Sequence, residues 1–178
     1  MVYKVFWPDT LIYISILNMT IKKFYILCAA LFCFMAVSAQ QNISVSSPDG
    51  KLKFLLKITP ETVSYEVNYK KQLLVENSLL GFSFDNGEFG SNLKSGKVRR
   101  KSIDETYELV VGKVSSARNH CNEMIVPLQE KEAPGRLINL VVRAFNDGVA
   151  FRYEFPEQEG WNSYVMYDEK TQFRLNGN

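Results

Sequence analysis

From residue 40 onward the chain runs in short apolar or alternating stretches, and no stretch holds a helical period over ten residues. Ile43–Ser46, Lys51–Ile58, Val63–Tyr69, Gln72–Val75, Leu79–Phe84, Val98–Ile103, Tyr107–Lys113, Glu123–Leu128, Leu137–Phe145 and Val149–Phe155 read as strands, rich in β-branched and aromatic residues. Turn chemistry separates them. Ser47-Pro48-Asp49-Gly50 puts proline at the second turn position and glycine where a positive φ is needed, Thr59-Pro60-Glu61 breaks the next run, and Lys70-Lys71 marks a reversal. Asp85–Asn92, rich in glycine, asparagine and acid, reads as a loop. The connections are too short for crossover helices, so the pattern predicts an all-β, antiparallel domain.

In the strongest pair of strands the alternation also sets the register. Val149, Phe151, Tyr153 and Phe155 form one apolar row, and Leu140, Val142 and Ala144 form another. Cross-strand neighbours share a face, so matching the rows pairs Ala144 with Val149, Val142 with Phe151 and Leu140 with Tyr153. The loop is then Phe145-Asn146-Asp147-Gly148 around a type I turn. A loop one residue shorter would set Arg143 beside Phe151. The predicted register gathers Arg143, Arg152 and Glu154 on the opposite face, as a charge ladder or beneath a second structural layer.

The first 39 residues follow a different rule. Lys22 and Lys23 precede an unbroken apolar run of 14 residues, Phe24–Val37, and Val37-Ser38-Ala39 supplies small residues at a signal-peptidase site. Fourteen helical residues span about 21 Å, short of a hydrocarbon core of about 30 Å. Residues 1–39 are therefore expected to be an N-terminal extension and secretory signal peptide, with no stable membrane anchor and Gln40 as the mature start. Leu27 and Phe32, which precede Cys28 and Cys33, are too large for a lipoprotein site. Met19 is the expected start codon. The expected location is outside the cytoplasm, periplasmic or secreted.

Composition then narrows the chemistry. The chain of 178 residues carries 21 basic and 19 acidic side chains, and without residues 1–39 the two counts are equal, which gives no basic footprint for nucleic acid. His120 is the one histidine, so a multi-histidine zinc site is excluded and Ser-His catalysis has little to draw on. Beyond residue 39 Cys121 stands alone, which rules out an intramolecular disulfide and reads as a small buried hydrophobe. There is no glycine-rich phosphate loop, CxxC, HExxH or EF-hand spacing. Acids cluster at Asp104-Glu105 with Glu108, Glu130 with Glu132, Glu157 with Glu159, and Asp168-Glu169. The first three clusters read as solvated loop charge, whereas Asp168-Glu169 could begin a strand. Arg118-Asn119-His120 and Asn122-Glu123 read as hydrogen-bonding partners of turn backbone. Trp161 and the tyrosines could stack on a sugar ring but read first as core.

Taken in order, these segments resemble the N-terminal domain of glycoside hydrolase family 97, exported bacterial α-glucosidases and α-galactosidases. The matching pieces are Ser47-Pro48-Asp49-Gly50-Lys51, Ser78-Leu79-Leu80-Gly81-Phe82, Glu105-Thr106-Tyr107-Glu108, Gly112-Lys113 and Arg118-Asn119-His120-Cys121-Asn122-Glu123. The longest is Arg143-Ala144-Phe145-Asn146-Asp147-Gly148-Val149-Ala150-Phe151-Arg152-Tyr153-Glu154-Phe155-Pro156, and Asp168-Glu169-Lys170-Thr171-Gln172-Phe173 closes the set. Tyr107 stands where the family often has tryptophan, and Cys121 where it has tyrosine.

The resemblance implies a β-super-sandwich like that of galactose mutarotase-type domains, followed in the family by a (β/α)₈ barrel with the catalytic carboxylates and Ca²⁺. The barrel's carbohydrate would be an α-glucan or an α-galactoside. The family's N-terminal domain lends a carboxylate to the Ca²⁺ site, expected downstream of Asn178, so no residue here is assigned a catalytic, cofactor-binding or metal role. Residues 40–178 are thus expected to be a partial N-terminal sandwich, inactive alone, with open sheet edges and an uncovered apolar face. The competing reading is a free-standing carbohydrate-binding or structural β-sandwich module.

Overall fold

The computed structural model describes residues 40–110 and 115–177. The signal-peptide reading of residues 1–39 and the Gly112-Lys113 piece lie outside these residues. Within them the secondary structure is antiparallel strand and turn, with no helix. β1 (Gln41–Ser46), β2 (Leu52–Ile58), β3 (Val63–Tyr69) and β4 (Gln72–Leu80) form a meander in chain order. β5 (Phe82–Phe84) and β6 (Gly87–Phe89) make a small hairpin, and β7 (Leu93–Ser95) follows. β8 (Arg99–Glu108), β9 (Ser116–Glu130), β10 (Leu137–Phe145) and β11 (Val149–Glu154) build the second large sheet, in which β7 and β8 share one edge of β9 and β10 takes the other. β12 (Met166–Glu169) closes a three-stranded sheet on β5.

Alternation places the core. Leu52, Phe54, Leu56 and Ile58 of β2 and Val63, Tyr65 and Val67 of β3 are buried, and they face Met124, Val126 and Leu128 of β9 and Ile138, Leu140, Val142 and Ala144 of β10. Phe54 stacks on Tyr65 with ring centroids 5.2 Å apart, and Phe151 meets Tyr65 edge-on at 5.3 Å. Each such fully buried side chain contributes about 1.5–3 kcal/mol, enough for the two apolar rows to lock the sheets face to face.

The β10–β11 register is the one the apolar rows require: Ala144 opposes Val149, Val142 opposes Phe151 and Leu140 opposes Tyr153. Lys70 and Lys71 form a two-residue turn with φ of 48° and 71°, the doubly positive geometry that matches strand twist.

Other boundaries differ from the pattern. Gln72–Leu80 is one strand, carried past its polar middle by register shifts against β3. The Asp85–Asn92 loop contains β6, because Asp85-Asn86 turns tightly enough for Gly87–Phe89 to pair back on β5. Val98–Ile103 and the start of Tyr107–Lys113 merge into β8, whose polar centre is tolerated on an exposed two-stranded ribbon with β9. Asp168-Glu169 end β12 and do not begin a strand.

Beyond β12 the chain stays extended along β4. Lys170 and Gln172 donate backbone N–H to the carbonyls of Gly81 and Leu79 at 2.8 and 2.9 Å, and Glu76 donates to Arg174 at 2.7 Å. From β12 onward the chain exposes apolar side chains, with Tyr167, Phe173 and Leu175 66–72% exposed.

Candidate functional site

The acid clusters were the sequence's best chance of chemistry, and the backbone disperses them. In the β8–β9 ribbon Asp104 and Glu105 are strand neighbours, so their side chains leave on opposite faces and cannot act as a pair. Asp104 accepts both Nε and Nη2 of Arg118, at 2.7 and 2.8 Å, and that contact holds its carboxyl below the ordinary range. Asn119 Nδ2 donates to Glu105 at 2.7 Å. Arg118 and Asn119 therefore serve strand carboxylates and not turn backbone, a correction that follows from their lying inside β9. Asn122 does reach backbone, donating to the Ser46 carbonyl at 2.9 Å.

Glu123 is buried on the outer face of β9 and accepts from Arg143 at 2.7 Å, with Lys101 at 3.2 Å. Burial pushes its carboxyl up, and the hydrogen bonds from Arg143 and Lys101 outweigh that, so it titrates below the usual glutamate range. Cys121, two residues away, is a buried free thiol pushed up by burial. Arg152 pairs with Glu154 at 2.7 Å along β11, which completes the ladder of charge on this face.

Glu130 is not solvated loop charge. Arg136, 2% exposed, places Nε and Nη2 on the two Glu130 oxygens at 2.9 and 2.5 Å. Its remaining donors reach Asn86 Oδ1 at 2.8 Å and the carbonyls of Gly87 and Glu88 at 3.1 and 2.7 Å, while its guanidinium lies over the rings of Phe84 and Phe89. This pair fastens the β5–β6 turn to the end of β9. Sequence reasoning missed Arg136, since nothing within the polar stretch around it signals partners nearly fifty residues upstream.

Glu157 and Glu159 are exposed. Asp168 lines an open groove of about 480 Å³ with Glu61, Glu88, Lys170 and Gln172, in which Lys170 already pairs with Glu88 at 2.6 Å. Gly81 and Gly90 cross so closely there that a Cβ on Gly81 would sit 2.8 Å from the Phe89 carbonyl. Trp161 is core, packed edge-on against Phe84 and stacked on Tyr164 at 4.6 Å. Phe155, Trp161 and Tyr164 border a depression of about 490 Å³.

Among the described residues no three His, Cys, Asp or Glu side chains gather as metal ligands, so these residues do not fit a Ca²⁺ cage. What they define is an antiparallel β-sandwich whose clustered acids are paired with basic or amide groups or lie apart on the surface.

Comparison with known proteins gives that class its family. The model for the N-terminal domain of glycosyl hydrolase 97 matches residues 45–178, and the chain belongs to this family. It is 29% identical over 133 residues to a retaining alpha-galactosidase of Bacteroides thetaiotaomicron, covering 74% of this chain and 19% of that protein. A probable retaining alpha-galactosidase of Streptomyces bingchenggensis is 26% identical over 140 residues, covering 76% and 22%. A family 97 enzyme from Pseudoalteromonas sp. strain K8, solved with panose, superposes with a TM-score of 0.71 at 31% identity over 75% of this chain and 20% of that one. A beta-arabinopyranosidase superposes at 0.70, also at 31% identity, over 76% and 22%. The chain thus spans about a fifth of the relatives it matches.

Proposed function

We propose that this chain serves as the non-catalytic N-terminal sandwich of an exported α-glycosidase, an α-glucosidase or α-galactosidase acting on glycans, and packs on a catalytic barrel. The observation that carries this reading is the family match across 45–178, together with relatives named as retaining alpha-galactosidases and a family 97 enzyme solved with panose and with acarbose. Glycoside hydrolysis needs two carboxylates facing each other across the scissile bond, one as acid and the other as base or nucleophile. The clustered acids described above are paired with basic or amide groups or lie apart on the surface, which favours a supporting role for this portion. Ca²⁺ belongs, in this reading, to the barrel side of the full enzyme. Residues 1–39 direct export to the periplasm or beyond.

A chimera tests the reading. Residues 40–178 replace the matching fifth of the Bacteroides α-galactosidase, which is compared with the same enzyme lacking that part. Recovered hydrolysis of an aryl α-galactoside supports it; the purified chain alone releasing aglycone overturns it. A reporter fused after Ala39 should reach the periplasm with cleavage at that residue.

The depression beside Trp161 and Tyr164 favours a second reading, a carbohydrate-binding module, through an aromatic face that a sugar ring could cover. Calorimetry with malto-oligosaccharide and galactoside separates the two, because heat of binding to the isolated chain is expected only for such a module.

A further inference from the structure

We draw no further inference here: the strongest candidate, the aromatic depression bordered by Phe155, Trp161 and Tyr164, in which the buried Trp161 Nε1 has no hydrogen-bond partner among the described residues, carries nothing because nothing in the structure shows what covers it.

Discussion

A guanidinium buried as deeply as Arg136 is tolerated only when its donors are occupied, and here five hydrogen bonds from its side chain occupy them. Arg136→Ala strands the Glu130 carboxylate and the carbonyls of Gly87 and Glu88 without their partner. Loss of one member of a buried pair costs about 3–5 kcal/mol, so thermal melts followed by circular dichroism should shift down by roughly 10 °C or more. Arg136→Lys should recover only part of this, because an ammonium cannot fork across a carboxylate. Titration follows a different group of residues. The Asp49 carboxyl is lowered from 3.8 to about 2 by the Ser47 hydroxyl and then by Lys51. Glu123 is lowered as well. In both the native state binds protons more weakly than the unfolded chain, so their contributions are complete above the ordinary carboxylate range and fade as pH falls through it. The melting temperature should drop on acidification below about pH 4.5, the ordinary glutamate value, and Glu123→Gln should make that slope shallower.

Turn geometry is what an element-level test reaches. Lys70 and Lys71 both hold positive φ without glycine or asparagine, a conformation costing about 1–2 kcal/mol per ordinary residue. Lys70→Asn with Lys71→Gly supplies residues suited to this turn and should raise stability by about 1 kcal/mol, seen as a higher urea midpoint with unchanged slope. The β10–β11 loop shows the opposite case, in which residue chemistry and geometry agree. Four residues lie between the last paired positions, Ala144 and Val149, and the two apolar rows meet as the alternation requires. Asn146 also reaches across to the first turn, accepting the Asp49 N–H at 3.0 Å, so two turns distant in sequence brace each other.

For the whole molecule, the strip formed by Tyr164–Tyr167, Phe173 and Leu175 is the feature with the largest consequence. Exposed apolar side chains in a row mark a surface that associates, and this row runs beside the outer strand β11. The purified chain should bind a hydrophobic dye such as ANS. Tyr167→Lys with Leu175→Lys should cut that fluorescence and raise solubility while leaving the melting temperature within about 1 kcal/mol equivalent, since both side chains are mostly exposed.

The one-dimensional pattern was enough for every feature that a strand decides for itself. Alternation fixed which residues of β2, β3, β10 and β11 face inward, because a pleated strand turns successive side chains to opposite sides whatever it packs against. The ordered motifs were enough for the family. Tertiary structure alone decided where the polar groups went. Glu130 became a buried counter-ion, Glu123 a shared acceptor, and Asp104 and Glu105 found Arg118 and Asn119, since each outcome depends on partners brought close by other strands. The same holds for β6 and β7: three residues carry too little pattern to announce a strand, and only a neighbour's hydrogen bonds make them one.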